Sequence, residues 1–349
     1  MQRQVLFNVQ LLRFFAAFAI LFTHTVNLLV PGSPLVAGIP WVGGVDVFFV
    51  ISGFIMTWMT REQFGNRAAA GNFLKRRIIR VVPPYWFFTL LTVAAVLVAG
   101  GRIKNVTADP ALVISSLAFI PWPRIDGIMV PILPQGWTLN YEAFFYLAFA
   151  LCMTMRRGLA ILVAAFVLLA ASAWFIPDRW FVARFFADPI ILEFVAGIGL
   201  GRLYLAGVRL APVASAALIV AAVAAYFAMP EVGDTFYRPL HLGIPAALLA
   251  SALILGTEPR RLNWLGKAIK AGGDASYTLY LSHKLVVAAV VIGCGLAGVE
   301  SNAAAAILAL IAALAFALIF YRFAEAPVLA GLGNRFKLRG SQVAAAVAP

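Results

Sequence analysis

The sequence predicts an all-α integral membrane protein, a bundle of about ten transmembrane helices with both termini in the cytoplasm. Of its 349 residues, 63% are hydrophobic and 12% are charged, and the mean hydropathy is +0.95. A soluble globular protein does not have this composition. Apolar runs long enough to cross a bilayer recur along the chain. Basic residues are concentrated on one side of the predicted membrane, which gives the orientation.

The ten predicted helices follow one another along the whole chain. They cover residues 8–30, 41–60, 81–100, 136–155, 159–175, 186–206, 212–229, 241–256, 276–298 and 303–323. Residues 111–120 are apolar but too short to span, and the prolines that follow indicate a loop on the outer face. No linker or internal repeat interrupts the chain, so we predict one transmembrane domain at 1–325 and a short cytoplasmic tail at 326–349.

The Lys and Arg residues test the helix count and the orientation. With a cytoplasmic N-terminus, 19 of the 27 lie in inner segments, six lie outside and two lie within helices. This is the bias of the positive-inside rule. The net charge of +13 is explained by orientation and anionic inner-leaflet lipid, so no nucleic-acid partner is predicted. Cys152 and Cys294 fall within helices, so the sequence predicts neither a disulfide nor a metal site.

Two ionisable residues, Arg13 and His24, interrupt the first apolar run. They are eleven residues apart, so on a helix they share a face and lie about 16 Å apart along its axis. Ionisable side chains inside a membrane are costly and indicate a functional site. The alternative is that Arg13 only reaches the inner surface and that His24 only packs between helices.

Two carboxylates share the predicted depth of His24. Asp46 and Glu142 lie roughly 8–9 Å from the outer ends of the second and fourth helices, and His24 lies about 9 Å from the outer end of the first. A carboxylate beside a histidine holds one tautomer and makes the ring a better base. We therefore predict a catalytic group in which Asp46 or Glu142 orients His24. A contact between helices at Asp46, and a structural hydrogen bond from Glu142 to Tyr146, are the alternatives.

The predicted inner face carries residues suited to an anionic donor. Arg77 and Arg80 precede PPYW at the predicted start of the third helix and share a face, an arrangement that suits phosphate. Orientation alone would also place them there. The ninth helix opens with the sequence GDASYTLYLSHKLV. The candidate donor-binding residues of this helix are Tyr277, Tyr280, His283 and Lys284. Interfacial tyrosines and a lysine that extends to the membrane surface are the alternative.

Six motifs follow one another along the chain. They are Arg13-x10-His24, GGVDVFFVISGFIM at 43–56, Arg77-x-x-Arg80 before PPYW, GWTLNYEAFFY at 136–146, ASYTLYLSH at 275–283 and EAP at 325–327. This set resembles the membrane-bound acyltransferase family 3, and it is most similar to the exopolysaccharide O-acetyltransferases of bacteria. The resemblance implies ten helices in the bacterial inner (cytoplasmic) membrane, no bound cofactor or metal, and an acyl-CoA co-substrate, here acetyl-CoA. It also implies a carbohydrate acceptor, an exopolysaccharide or its lipid-linked precursor.

The residues also suggest a mechanism. A donor whose phosphates bind at Arg77 and Arg80 would extend its pantetheine arm past Arg13 toward His24. His24 would take the acceptor hydroxyl proton as the oxygen attacks the thioester, or would form an acyl-histidine intermediate. A secondary transporter of a polar or anionic solute is the main alternative function, although the inverted repeats usual in transporters are absent from the sequence. A non-catalytic assembly protein would leave the ionisable residues unexplained.

Overall fold

The computed structural model describes residues 6–36, 41–99, 108–228 and 237–336. Over these ranges the chain forms helices and loops and contains no strand. Six helices are long and apolar enough to cross a membrane: Phe7–Leu29, Trp41–Met59, Arg67–Val98, Gly158–Phe175, Ser276–Leu296 and Asn302–Arg335. The prediction of an all-helical, multi-pass membrane protein is confirmed. The count of ten spans and the cytoplasmic position of both termini stay predictions.

Within the described ranges, a helix lies at each of the ten predicted segments, and four further helices lie between or after them. In chain order they are α1 (Phe7–Leu29), α2 (Gly44–Met59), α3 (Arg67–Ala99), α4 (Pro110–Leu117), α5 (Trp137–Met153), α6 (Gly158–Ser172), α7 (Phe181–Phe186), α8 (Leu192–Leu205), α9 (Pro212–Ala228), α10 (Ile244–Ile254), α11 (Trp264–Asp274), α12 (Ser276–Leu296), α13 (Asn302–Phe320) and α14 (Ala326–Arg335).

Three boundaries differ from the sequence prediction. Helix α3 begins at Arg67 and runs through Pro83 and Pro84, so the predicted start at residue 81 was wrong. The predicted outer loop contains α4, whose first turn is capped by Asp109, which accepts a hydrogen bond from the Leu112 N–H at 2.9 Å. The first ten residues of the predicted tail form α14, and residues 337–349 lie outside the described ranges.

The first of two compact units contains residues 1–51, 206–231 and 240–349. Helix α1 contacts α11, α12 and α13. The face of α13 in this core is a row of alanines that includes Ala305, Ala309, Ala313 and Ala317, all buried. Their four-residue spacing puts them on one side of the helix, and small side chains let neighbouring helix backbones approach closely inside a membrane.

The second unit contains residues 52–205 and 232–239. Its core is aromatic: the rings of Phe145 and Phe194 stack with centroids 4.3 Å apart. Glycine allows the second half of α2 to approach α8, because a Cβ added at Gly53 would lie 2.2 Å from the carbonyl oxygen of Phe194. No side chain fits there.

Candidate functional site

The first unit holds a group of polar side chains between α1 and the start of α12, which we call the histidine cluster: Arg13, His24, Ser276, Tyr280 and His283. The Arg13 guanidinium donates to Ser276 Oγ at 2.9 Å and to the Gly273 carbonyl at 3.3 Å. His24 contacts His283. Because both contacts advance along α1 and along α12, the two helices run in the same direction.

Two glycines bring the end of α11 against α1. A Cβ at Gly273 would lie 2.5 Å from the Gln10 carbonyl oxygen, and one at Gly272 would lie 2.3 Å from Phe14 Cδ2. The close approach places the Gly273 carbonyl within reach of Arg13. The sequence analysis did not identify Gly273 and Ser276 as contacts of Arg13.

The two histidines meet edge to edge. His24 Nδ1 and His283 Nε2 are 2.8 Å apart, the ring centroids are 5.1 Å apart, and the ring planes differ by 7°. Nearly coplanar rings at this separation put a ring N–H in line with the lone pair of its partner. His283 is completely buried, whereas His24 is partly exposed.

His283 occupies a different place from the one that the sequence predicts. It was assigned to the donor, but its Nδ1 donates to the Tyr280 carbonyl at 2.7 Å and its Nε2 faces His24. Both ring nitrogens therefore contact protein groups. Depths estimated from helix ends placed His24 near the outer membrane surface and His283 in the cytoplasmic half of its helix. Those estimates did not show that the two residues meet.

The remaining candidates of the first unit are Asp46, Tyr277, Tyr280 and Lys284. Asp46, in the first turn of α2, is completely buried. The Tyr280 ring packs edge-on against Phe48 with centroids 6.0 Å apart, and Tyr277 and Lys284 are partly exposed. No contact described here tests the predicted pairing of Asp46 or Glu142 with His24, which stays a prediction.

Glu325 is a further buried ionisable residue of the first unit. It ends a π-helical turn, Tyr321–Glu325, and its carboxylate accepts a hydrogen bond from Thr278 Oγ1 in the first turns of α12. Both side chains are buried. Such turns often mark functional positions. The sequence signal was the EAP motif, to which no role had been given.

The second unit holds a separate group, which we call the arginine–tyrosine cluster: Ser52, Arg77, Glu142 and Tyr146. The Glu142 carboxylate accepts hydrogen bonds from Ser52 Oγ at 3.0 Å and from the Tyr146 hydroxyl. The Arg77 guanidinium lies 5.8 Å from the centre of the Tyr146 ring, within the range of a cation–π interaction. The predicted structural bond between Glu142 and Tyr146 is thus present.

Arg77 is buried because it lies on the face of α3 that packs against α5, where its guanidinium lies over the Tyr146 ring. Arg77 lies ten residues into the helix, about 15 Å from its start. The N–H of Gly65, just before α3, donates to the Met153 carbonyl at the end of α5 at 2.8 Å, so the two helices run antiparallel from that point. Arg77 and Arg80 are each only 5% exposed. They are interior residues of the helix rather than residues that precede it.

An apolar cavity of about 510 Å³ lies in the first unit against another face of α1. Its walls include Leu12 and Phe15 of α1, Tyr226 of α9 and Leu249 of α10, and no charged side chain lines it. The lining suits hydrocarbon rather than group transfer. Within the described ranges, no group of three or more His, Cys, Asp or Glu side chains is arranged to hold a metal ion.

Comparison with known proteins identifies similar sequences over most of the chain. Residues 6–322 match the acyltransferase domain of acyltransferase family 3. The exopolysaccharide production protein ExoZ of Rhizobium meliloti (strain 1021) is 35% identical over 253 residues, which cover 71% of this chain and 77% of ExoZ. Acyltransferase MdmB of Streptomyces mycarofaciens is 28% identical over 70% of this chain and 67% of its own length. Nodulation protein 10 of Rhizobium leguminosarum bv. viciae is 29% identical over 56% of this chain and 59% of its own length. No solved structure gives a significant match.

Proposed function

Because the chain belongs to acyltransferase family 3, we propose that it transfers an acyl group, acetyl, from cytoplasmic acyl-CoA to a hydroxyl of a carbohydrate acceptor. The similarity to a protein named for exopolysaccharide production supports an exopolysaccharide or its lipid-linked precursor as acceptor. The place of action is the bacterial inner membrane, with both termini in the cytoplasm.

One observation carries this proposal. The His24 ring is partly exposed, and its Nδ1 is hydrogen-bonded to the buried His283. A histidine that is fixed at one ring edge and accessible elsewhere can take a proton from a hydroxyl. The acceptor oxygen then attacks the thioester carbonyl carbon, the C–S bond breaks, and the proton passes to the thiolate. General-base catalysis of this kind contributes about 10²–10⁴-fold to the rate.

The donor is proposed to bind through cations and tyrosines. Arg13 lies eleven residues before His24 on α1, about 16 Å along the axis, where it can contact the pantetheine chain. Arg77 and Arg80 are the proposed phosphate ligands, because guanidinium groups bind phosphate with two parallel hydrogen bonds. Tyr277, Tyr280 and Lys284 of α12 are proposed to line the donor path. Asp46 and Glu142 remain the proposed carboxylates of the reaction.

The test is transfer of radiolabelled acetyl from acetyl-CoA to the oligosaccharide acceptor by the purified protein in lipid nanodiscs. We expect His24→Ala to abolish transfer while acetyl-CoA binding is kept. His241→Ala is the matched control, because His241 lies in the same unit but stacks on Tyr226. Acetyl phosphate replaces acetyl-CoA in a parallel assay. Full activity of His24→Ala would refute the assigned base, and equal transfer from acetyl phosphate would refute the CoA donor.

A further inference from the structure

We propose that His283 is a positioning residue that fixes the tautomer of His24, so that His24 Nε2 is the atom that accepts the substrate proton. This inference rests on the proposed function, since it names the orienting group of the proposed base. It places a neutral imidazole at His24 Nδ1, so Asp46 and Glu142, the proposed carboxylates of the reaction, do not bind that atom.

The hydrogen-bond chain begins at the Tyr280 carbonyl. A carbonyl oxygen only accepts, so His283 Nδ1, 2.7 Å away, carries a hydrogen. Complete burial disfavours a charged imidazolium, and a neutral imidazole has one protonated and one unprotonated nitrogen. His283 Nε2 therefore carries the lone pair.

The same reasoning then gives the tautomer of His24. Its Nδ1 faces the His283 Nε2 lone pair at 2.8 Å, and two lone pairs do not approach so closely without a hydrogen between them. The hydrogen is therefore on His24 Nδ1. A neutral His24 in this tautomer has its remaining lone pair on Nε2, the nitrogen that points away from His283.

The difference in exposure separates the two roles. His283 is completely buried and uses both nitrogens within the protein, so it contacts no substrate. His24 is partly exposed. During the reaction, the hydroxyl proton moves to His24 Nε2, the C–O bond forms as the C–S bond breaks, and the proton moves from Nε2 to the thiolate. The hydrogen between the two rings stays on His24 Nδ1 throughout, and His283 accepts that bond from the transient imidazolium.

The chain has only three histidines, so ring tautomers can be read directly by ¹⁵N NMR of the full-length protein labelled at histidine. His241→Gln and His24→Gln assign the signals. At a pH where the rings are neutral, we expect the His24 signals of a protonated Nδ1 and an unprotonated Nε2. In His283→Leu, which removes the acceptor, we expect His24 to become a mixture of tautomers. A His24 ring protonated at Nε2 in the wild type, or unchanged in His283→Leu, would overturn the proposal.

Kinetics give a second, independent readout. We expect His283→Leu to lower kcat by about 100-fold or more, within the range of general-base catalysis, with the KM for acetyl-CoA unchanged. In His283→Gln, the amide oxygen can accept from His24 Nδ1, so we expect both the tautomer and most of kcat to be restored. Equal losses in the Leu and Gln variants would overturn the positioning role.

Folding and the proposed function are controlled separately. Both His283 variants are compared with wild type for acetyl-CoA binding and for elution as a single species, and Gln is the decisive variant if Leu does not fold. If His24→Ala is inactive while His283→Leu keeps full kcat, the positioning role fails and the proposed function stands. If His24→Ala is fully active, the proposed base itself is refuted.

Discussion

The histidine cluster and the arginine–tyrosine cluster both bury ionisable side chains in helices, but they stabilise them differently. In the histidine cluster, two imidazoles hydrogen-bond each other and Arg13 binds neutral oxygen atoms. In the arginine–tyrosine cluster, a carboxylate receives two hydroxyl hydrogen bonds and a guanidinium lies over the ring of one donor. The first arrangement leaves a neutral base able to accept a proton. In the second arrangement, Tyr146 lies between opposite charges: its hydroxyl contacts the Glu142 carboxylate and its ring contacts the Arg77 guanidinium.

This difference has consequences for mutation. Removing one charge from a buried charged group leaves the other uncompensated and destabilises the fold. Removing a member of a neutral hydrogen-bonded pair costs less stability, so its effect is expected mainly in the reaction. We therefore expect variants of the two histidines to change mainly kinetics, and variants of the arginine–tyrosine cluster to lower stability in addition to any effect on donor binding.

The largest effect outside the two histidines is expected at Arg13. Arg13→Lys keeps the charge but lacks the forked geometry that reaches both the Gly273 carbonyl and Ser276 Oγ. Arg13 is the proposed contact of the pantetheine chain, and losing a hydrogen bond between a charged group and the donor is worth about 1.5–3 kcal/mol, so we expect kcat/KM for acetyl-CoA to fall about 10- to 150-fold. Single-turnover kinetics with saturating acceptor measure it.

Ser276→Ala serves as the control, because it removes one acceptor of Arg13 and leaves the guanidinium. We expect a smaller loss than in Arg13→Lys. A wild-type KM for acetyl-CoA in Arg13→Lys, together with failed membrane insertion, would show that Arg13 sets topology rather than binding the donor.

Sequence reasoning succeeded where spacing along one helix carries the information. The shared face of Arg13 and His24 follows from an eleven-residue separation, and both residues contact the α11–α12 segment on that face. It did not succeed where the information lies in which helices are neighbours. The predicted orientation has the first and ninth helices running in the same direction, but helix-end depths do not reveal that α12 lies beside α1 and that His283 meets His24.

The start of α3 was missed for a different reason. The predicted start at residue 81 followed the beginning of the apolar run, just before Pro83 and Pro84. Inside a membrane, however, helices tolerate proline when neighbouring groups satisfy the freed carbonyls. The sequence therefore placed Arg77 and Arg80 before the helix, whereas they lie ten and thirteen residues inside it.

Variants of Arg80 and Arg77 distinguish donor binding from stabilisation of the fold. Both are proposed phosphate ligands, and Arg77 also packs on the Tyr146 ring. We expect Arg80→Ala to raise the KM for acetyl-CoA about tenfold, equivalent to 1.4 kcal/mol, with the KM for the acceptor unchanged. Arg77→Ala should add a loss of thermal stability. Steady-state kinetics with each substrate varied, and Tm in the same detergent, distinguish the two. Equal changes in both KM values would contradict phosphate binding.

Tyr146→Phe removes one oxygen atom and tests how much the Tyr146–Glu142 hydrogen bond contributes to stability. The substitution removes the hydroxyl that donates to Glu142 and keeps the ring against Arg77. A hydrogen bond to a charged group is worth about 1.5–3 kcal/mol when buried, and Glu142 is partly exposed, so we expect about 1.5 kcal/mol less stability and a kcat close to wild type.

Ser52→Ala is the matched comparison for Tyr146→Phe, because it removes the other donor to the same carboxylate. Chemical denaturation in detergent measures both. A large loss of kcat in Tyr146→Phe at unchanged stability would mean that the Tyr146 hydroxyl acts in the reaction and does not stabilise the fold, which would contradict the prediction.

The smallest effect is expected at Glu258, which holds the beginning of α1. Its carboxylate accepts hydrogen bonds from the N–H groups of Phe7 and Asn8 at 2.9 and 3.1 Å, and a negative charge at a helix N-terminus is favourable. Burial raises the pKa of Glu258, and the two backbone hydrogen bonds partly offset that shift. Burial thus disfavours its charged form, so the neutral amide of Glu258→Gln should cost only about 0.5–1 kcal/mol of stability.

Since this change acts on the same helix as Arg13 and His24, it tests whether their kinetic effects come from a displaced α1. We expect Glu258→Gln to lower Tm slightly and to leave kcat unchanged, with the exposed Glu300→Gln as the control. A loss of kcat in Glu258→Gln comparable to that in Arg13→Lys would show that activity depends on the position of the whole helix α1. The kinetic effects of Arg13 and His24 variants would then not be specific to the histidine cluster.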